Sequence, residues 1–281
     1  MRRRMGVAAW LGMAAAVTSQ AACAPHTLQT ITSPDLQPPP PPPNLLDGLV
    51  AHWNCDESGG NVLHDTSGNN HNGELSGGTF TSGHFDNALS LQRGEYVTVP
   101  GFPNATPSWS VSAWTEIPNG DARDICLIST ELSGEGGWAM RANSAAQTCT
   151  FRFPVRSDGG GDTYAYHEGL GLSANDRFIH VVAVVDADAM TLTLYVDVNV
   201  RDHPTPISAT ISPGLSDLLI GRSGLADEDY AGLIDDIAIY SRALTSAEVT
   251  LLRNEAAPDI TVPTVSLDAG NDSPDASVSR D

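Results

Sequence analysis

The stretch GLIDDIAIY, Gly232–Tyr240, has the composition of a β-strand, since it holds three isoleucines, a leucine and a tyrosine. Two aspartates, Asp235 and Asp236, lie side by side in its middle. Because successive side chains of a strand point to opposite faces, strict alternation places one aspartate on each apolar face. A buried carboxylate is costly unless it is paired, hydrogen-bonded or bound to a metal. The stretch therefore predicts a buried strand in which an aspartate has a specific partner.

The rest of residues 46–256 has the same β character as this stretch. Short runs rich in β-branched and aromatic residues alternate with turn-forming segments such as SGNNHNGELSGG and SDGGGD. Only one helix is clearly marked, near the end, where Thr245-Ser-Ala-Glu248 forms a capping box. Many short strands and one short C-terminal helix predict an all-β fold, a two-sheet β-sandwich formed by residues 46–256.

The charge balance is strongly acidic and limits the possible partners. The 281 residues include 34 acidic and 14 basic residues, and all the basic ones are arginines, which gives a formal net charge of −20. Such a surface repels phosphate backbones, so we exclude nucleic acid as a partner. Carboxylates and carbonyls suit hard divalent cations, so a calcium ion is compatible with this composition.

The N-terminus is predicted to be a targeting segment. Residues 1–22 combine a basic start, an apolar run too short to span a membrane, and small residues before Cys23. Ala21-Ala22-Cys23 resembles the end of a bacterial lipobox, although Gln20 departs from that motif. Lipidation of Cys23 and ordinary cleavage near Ala22 therefore both remain open. Either process places the chain outside the cytoplasm, with contact to an outer membrane surface only through a possible lipid anchor.

Two further segments flank the predicted domain. Residues 23–45 are a linker or tether, in which the six prolines Pro38–Pro43 favour a stiff polyproline II rod. Residues 257–281 are rich in Asp, Ser and Pro and poor in apolar residues, which predicts a disordered acidic tail.

Four cysteines, Cys23, Cys55, Cys126 and Cys149, are present in an extracytoplasmic chain that tolerates disulfides. Cys126 and Cys149 lie in two nearby strand-like runs, DICLIST and TCTFRF, and we predict that they form a disulfide. Cys55 follows a strand-like start and is expected to be a buried free thiol.

Several segments, in order along the chain, resemble the laminin G-like group of the concanavalin A-like lectin and glucanase superfamily. The segment GHFDNALSLQRGEYVTVP resembles the family's G-x-x-G-x-A-L-x-F-x-G-x-x-x-Y-V-x-V-P pattern, and SWSVSAWTEI resembles its F-S-V-S-A-W strand. RFIHVVAVVDADAMTLTLYVDVNV is similar to W-H-H-V-A-V-x-Y-D followed by L-x-L-Y-V-D-G, with Phe178 and Val198 as departures. GLIDDIAIYSRALTSAEVTLL is similar to G-x-I-D-E-V-x-I-Y-x-R-A-L-S-x-x-E-I. The resemblance implies an antiparallel jelly-roll sandwich.

The resemblance also implies a partner for the first aspartate of the pair. In this superfamily that residue commonly binds a structural Ca²⁺ with backbone carbonyls, and the position corresponds to Asp235. Asp56 is a second candidate ligand, whereas Asp65 is better explained by turn chemistry. The alternative is that Asp235 is satisfied by backbone N–H groups or by Arg242. Asp236 is expected to point the other way, to water.

No catalytic motif is present in the sequence. Endoglucanases of the same superfamily carry E-x-D-x-E on one strand, which this chain lacks, and neither G-x-S-x-G nor H-E-x-x-H occurs. His180 lies in an apolar strand and is expected to be a core or interface residue. We therefore predict that the chain is not an enzyme, with a divergent glycoside hydrolase as one alternative.

Candidate ligand-binding residues lie in two glycine-rich segments. Tyr164, Tyr166 and His167 belong to SDGGGDTYAYHEG, and Trp138 belongs to GEGGWAMR. Sugar sites use aromatic faces with a few polar groups on loops, although ordinary packing would also explain these residues. Three other tryptophans lie in strands and are expected in the core, namely Trp53, Trp109 and Trp114.

Together these observations predict a non-catalytic extracytoplasmic binding or adhesion module. Its partner is expected to be a glycan or a surface protein, and the sequence does not indicate its oligomeric state. A structural envelope component without a small-ligand site is the other alternative.

Overall fold

The structure is a computed structural model that describes only part of the chain. The described residues are 43–103, 107–117, 124–131, 136–145, 148–156, 162–167, 177–197, 199–200, 204–207, 217–224 and 228–258. In some strands, including all of 162–167, only the backbone is described. The predicted signal peptide with Cys23, nearly all of the linker and nearly all of the tail lie outside these ranges.

Nine strands form one sheet, here called sheet A, in the order β14-β13-β12-β7-β17-β5-β4, with β1 also paired to β17 and β15 to β13. All of its described pairings are antiparallel. Its strands are β1 (Leu49–Trp53), β4 (Thr79–Ser82), β5 (Asn87–Leu91), β7 (Trp109–Glu116), β12 (Ile179–Asp186), β13 (Thr191–Val196), β14 (Asn199–Val200), β15 (Thr205–Pro206) and β17 (Gly232–Tyr240).

Eight strands form the second sheet, sheet B, in the order β11-β10-β9-β8-β16-β6-β3-β2. These pairings are antiparallel as well. Its strands are β2 (Val62–Leu63), β3 (Gly73–Ser76), β6 (Tyr96–Val99), β8 (Asp124–Ser129), β9 (Ala139–Ala145), β10 (Thr148–Arg156), β11 (Asp162–His167) and β16 (Leu218–Ile220). Two antiparallel sheets confirm the predicted all-β sandwich.

The main core lies between the two sheets, because alternate residues of most strands point inward. On β7, for example, Trp109, Val111 and Ala113 belong to this central cluster. Trp53, on β1, is fully buried there. Trp114 is also buried, but on the opposite side of β7, where the ring of His84 stacks on it. All three tryptophans predicted to be buried are therefore confirmed.

A second, smaller cluster covers the outer face of sheet A. The helix α1 (Ser246–Asn254) packs there through Val249 and Leu252, next to Leu45 and Ala257 from the two ends of the described domain. The capping box predicted from the sequence is present at Thr245 and Glu248. In the described part of the chain, no helix is long and apolar enough to cross a membrane.

A β-bulge in β17 breaks the alternation predicted for GLIDDIAIY. Asp235 pairs with Trp114 and Ala238 pairs with Ser112, so the two residues between them stand opposite one residue of β7. Asp236 has a φ of 45°, a left-handed conformation that Asp tolerates better than most residues. Because of the extra residue, Ile234 and Ile237 both point into the central core.

The predicted disulfide between Cys126 and Cys149 is not formed in the structure. Cys126 is a free, buried thiol on β8 that donates a hydrogen bond to the carbonyl oxygen of Ile128 at 3.6 Å. Cys149 lies on β10, and β9 runs between the two strands. Two strand spacings separate the Cα atoms by at least roughly 9.5 Å, beyond the 7 Å that a disulfide spans. Cys55 is a buried free thiol, as predicted.

Candidate functional sites

The carboxylate of Asp235 is completely buried and is held by the loop that joins β4 to β5. Its Oδ2 accepts hydrogen bonds from the backbone N–H groups of His84 and Phe85, at 2.8 and 3.0 Å. Its Oδ1 has no hydrogen-bond partner among the described residues. The sequence analysis offered backbone N–H groups as an alternative to calcium. These groups satisfy Oδ2 of Asp235 but leave Oδ1 without a partner.

This environment disfavours the charged form of Asp235. Burial and the nearby charge of Asp236 raise the pKa of its carboxyl, and the N–H bonds from Phe85 and His84 offset part of this increase, so that the pKa is about 7. The thiol of Cys55 lies close enough that Asp235 adds to burial in raising the pKa of the thiol. A cation bound at Oδ1 would reverse this balance, because it would stabilise the carboxylate.

Asp56, the second predicted ligand, holds the same loop from the other side. Its Oδ1 accepts a hydrogen bond from the backbone N–H of Asn87 at 2.9 Å. A Cβ placed on Gly83 would lie 2.5 Å from the carbonyl oxygen of Asn87 and 2.7 Å from Asp235 Oδ2. The carbonyl oxygen of Asn87, at the start of β5, and Oδ2 of Asp235, on β17, therefore both lie close to Gly83. Within the described ranges, no three Asp, Glu, His or Cys side chains form a metal cluster.

Asp236 does not point to water, contrary to the sequence-based expectation. It is buried, and its Oδ1 lies 2.7 Å from Nε2 of His52. The backbone N–H of Ala257 lies 3.2 Å from both carboxylate oxygens. His52 in turn bonds Thr66 through Nδ1 at 2.8 Å. The expectation failed because the outer face of sheet A is covered by the second apolar cluster, which includes Ala238, Tyr240 and Ala257.

Two other residues considered as partners or ligands have clear structural roles. Asp65 accepts backbone N–H bonds from His52, Ser67 and His71, so the turn chemistry predicted for it is confirmed. Arg242 is not the partner of Asp235, since it binds the carboxylate of Glu248 at 2.7 and 2.9 Å.

His52 is a site residue that sequence analysis missed. It lies on β1 directly beside β17, where it pairs with Ala238. The available signal was a histidine in an apolar run, LVAHWN, which needs a buried polar partner as much as the aspartates do. His180, which was expected to be a core or interface residue, is buried and bonds Ser112 Oγ through Nε2 at 2.8 Å.

The candidate ligand residues do not form a surface site in the part of the structure that is described. Trp138 is buried, and its ring stacks on Phe153 at 5.6 Å and lies 4.9 Å from Trp109, so it belongs to the core. The backbones of Tyr164, Tyr166 and His167 form β11 at the edge of sheet B. Their side chains lie outside the described residues.

One pair of carboxylates does meet, on the outer side of sheet B. Glu131 and Glu228 both accept hydrogen bonds from Nη2 of the buried Arg141. Glu228 Oε2 also accepts from Arg141 Nε at 2.9 Å and from Ser223 Oγ at 2.7 Å. Arg141 therefore links the two carboxylates through charge-assisted hydrogen bonds.

Comparison with known proteins agrees with this architecture. A family model described as the concanavalin A-like lectin/glucanases superfamily matches residues 91–250, which is 160 of the 281 residues. The chain belongs to this superfamily, and the resemblance drawn from its motifs is confirmed. A comparison with curated proteins found no match.

Three solved structures are similar to the chain. The binding domain of Paraclostridial Mosquitocidal Protein 1 has a TM-score of 0.62 and 18% identity, over 75% of this chain and 53% of that one. The receptor binding domain of botulinum neurotoxin D has a TM-score of 0.56 and 15% identity, over 75% and 53%. The binding domain of botulinum neurotoxin serotype G has a TM-score of 0.56 and 12% identity, over 73% and 50%. The chain spans about half the length of these structures, and the likeness shows the jelly-roll fold.

Proposed function

We propose that this chain is a non-catalytic, extracytoplasmic binding module for a glycan or a surface protein, stabilised by one calcium ion. The observation that carries the proposal is the difference between the two outer faces. Sheet A is covered by α1 and the second apolar cluster. Sheet B presents partly or fully exposed side chains on its neighbouring strands β3, β6 and β16, which are Glu74, Ser76, Tyr96, Thr98 and Leu219.

A rigid sheet with one open face supports binding, because its side chains are fixed before a ligand arrives. The superfamily includes lectins and glucanases by its own description, so a glycan is the first partner to test. A protein partner is the second. A purely structural envelope role is the alternative if no ligand binds.

The arrangement of carboxylates favours binding over hydrolysis. A retaining glycosidase needs one carboxylic acid and one carboxylate, close together and free to face the sugar. Glu131 and Glu228 are instead held together by hydrogen bonds from Arg141, so neither is free to face a sugar.

Calcium is proposed at the loop between β4 and β5. Asp235 would supply its bare Oδ1, backbone carbonyls would supply most of the remaining ligands, and Asp56 lies at the same loop. When bound, the ion would neutralise the buried carboxylate and hold the loop against β17.

The lipid anchor on Cys23 remains part of the proposal, as the means by which the module is held at a bacterial cell surface.

Binding of the labelled full chain to intact bacterial cells, and to a set of neutral and acidic oligosaccharides, tests the function. We expect binding without release of reducing sugar. Loss of cell binding after periodate oxidation would identify a glycan partner, and loss after protease treatment a protein partner. Release of reducing ends would establish a hydrolase, and no binding to cells or sugars would favour the structural alternative.

A further inference from the structure

A depression of 460 Å³ lies on the open face of sheet B. Its volume falls within the roughly 300–1,000 Å³ of small-ligand sites. The strands β6 and β16 run side by side beneath it, and their alternation sends some side chains into the core and the others outward. The side chains that line the depression include Tyr96, Thr98, Asp217, Leu219, Arg222 and Ser223.

The guanidinium of Arg222 has unused hydrogen-bonding capacity. Its Cζ lies 4.4 Å from the centre of the Tyr96 ring, a cation–π contact that fixes its position. It forms an ion pair with Asp229, but Oδ1 of Asp229 lies 3.8 Å from Nε of Arg222, which is beyond hydrogen-bond distance. Among the described residues it donates no hydrogen bond, so its N–H groups are available to a ligand.

An acceptor lies in the same depression. Asp217 Oδ1 accepts a hydrogen bond from the backbone N–H of Gly101 at 3.0 Å, which fixes the carboxylate. Its Oδ2 has no partner in the described ranges. The hydroxyl of Thr98 and the apolar side chain of Leu219 complete a surface with donors, acceptors and an apolar strip.

The loop that carries Arg222 is held on both sides. The N–H of Gly221 donates to the carbonyl of Leu127 at 2.7 Å, and the N–H of Gly224 donates to the carbonyl of Glu131 at 3.2 Å. Ser223 Oγ donates to Glu228 within the Arg141 network. The buried ion pairs therefore pre-organise the loop, which lowers the entropy lost on binding a ligand.

We propose that this depression binds one ring of a neutral sugar, which rests on the glycan-binding function proposed above. Arg222 would donate to hydroxyls of the ring, and Asp217 would accept from neighbouring hydroxyls. The charge balance disfavours an anionic sugar, because one arginine against Asp217 and Asp229 gives 1 − 2 = −1 locally, in a chain of net charge −20. A neutral polyol carries no such penalty.

The test is the affinity of the full chain for neutral oligosaccharides built from glucose, galactose, mannose, xylose or arabinose, measured by titration calorimetry beside uronate oligosaccharides. At least one neutral sugar is expected to bind. Arg222→Gln and Asp217→Asn should each weaken that binding about tenfold or more, since each removes a hydrogen bond to a charged group.

The matched control is Arg253→Gln. Arg253 also lies over an aromatic ring, that of Trp114 at 5.9 Å, with a side chain 36% exposed against 37% for Arg222, but it lies on the helix that covers sheet A. Its replacement should leave the affinity unchanged, and unfolding temperatures should confirm that all variants fold.

Three results would overturn the inference while leaving the proposed function standing. Neutral sugar binding that survives both substitutions would place the glycan site elsewhere. Binding of uronate oligosaccharides alone would refute the neutral class. If no sugar binds but the chain still binds cells through a protease-sensitive partner, the inference fails and the function is protein binding. Failure of every binding assay would refute both.

Discussion

At the residue scale, Asp235 combines full burial with an incompletely satisfied charge. Two backbone N–H groups hold one oxygen, whereas the other has no partner among the described residues. An unpaired buried oxygen in a native protein indicates an absent water, an absent ion or a functional need for strain. The calcium proposed above would complete this oxygen, since a carboxylate oxygen is a ligand that Ca²⁺ prefers.

Asp235→Asn should remove the response of the domain to calcium. In the wild type, excess Ca²⁺ is expected to stabilise the folded state by RT ln(1 + [L]/Kd), about 2.7 kcal/mol at a hundredfold excess over Kd. In chelator at pH 8, the variant should be more stable than the wild type, because the amide oxygen still accepts the N–H bonds without the buried charge. Thermal unfolding with calcium and with chelator measures both effects.

Asp188→Ala serves as the control, because Asp188 is exposed in the turn between β12 and β13 and should leave the calcium shift intact. An absent calcium shift in the wild type at millimolar calcium would mean that the protein alone satisfies Asp235. In that case Asp235→Asn would also be less stable than the wild type.

The raised pKa of Asp235 makes a pH-dependent prediction for the metal-free protein. The folded state retains this proton to about pH 7, whereas the unfolded state releases it near pH 3.8. Stability relative to Asp235→Asn should therefore fall as pH rises from about 4 to 7, by up to about 4 kcal/mol. Burial also lowers the pKa of His180 to about 3, which makes the stability rise with pH. This contribution is the same in the wild type and in the variant, so it cancels in the difference between them. Urea unfolding in chelator across this range measures the difference, and a constant difference would contradict the prediction.

Asp236 has a different role, since it joins His52 and the end of the domain. Asp236→Ala should destabilise the fold by about 3–5 kcal/mol, because it leaves the histidine and the N–H of Ala257 without their buried partner. A double-mutant cycle with His52→Ala in urea should show strong non-additivity. Additive losses would mean that the two residues act independently.

At the element scale, β17 shows where sequence patterns succeed and where they fail. Its composition predicted a buried strand, and the structure confirms one over Gly232–Tyr240. The environment of Asp236 was predicted wrongly, because the apolar pattern of β17 does not show that α1 and Ala257 cover this face of the strand. The bulge also has no marker in that pattern. The loop that bonds Asp235 is about 150 residues away and the histidine that bonds Asp236 is 184 residues away, which no local pattern shows.

The helix α1 is an element that local sequence predicts well. Thr245→Ala removes a cap that accepts a hydrogen bond from the N–H of Glu248, so we expect a loss of about 1 kcal/mol of stability.

Burial alone would raise the pKa of Glu248, but hydrogen bonds from Arg242 and Thr245 outweigh it and lower that pKa to about 2. The stability that Glu248 contributes is therefore lost as pH falls from about 4.5 to 2. Unfolding curves at pH 7 and pH 3 measure both effects, and an unchanged midpoint for Thr245→Ala would contradict the first.

At the scale of the whole molecule, the ordered motifs predicted the sandwich. They did not predict the order of strands within each sheet, which determines which residues lie close together. DICLIST and TCTFRF are both strands, as expected, yet an intervening hairpin strand separates their cysteines. The open face of sheet B was also not predicted, because its residues come from strands far apart in sequence and contain no recognisable motif.

Peptide mapping under non-reducing conditions should find Cys126 unpaired. In the folded protein its thiol should resist alkylation, because burial raises its pKa to about 12 and removes access. After unfolding, Cys55 and Cys126 should both react. A peptide in which Cys126 is linked to Cys149 would contradict the strand order of sheet B.

The two ends of the described domain lie on one side of it, since Leu45 and Ala257 belong to the same cluster on sheet A. A tether attached at residue 43 or residue 258 would therefore leave the domain on the side of sheet A. The open face of sheet B would then point away from the point of attachment. Immobilising residues 43–258 on a sensor at either of these two ends should leave the open face of sheet B equally accessible. A fusion partner joined directly at residue 43 or residue 258 should likewise leave the open face of sheet B uncovered.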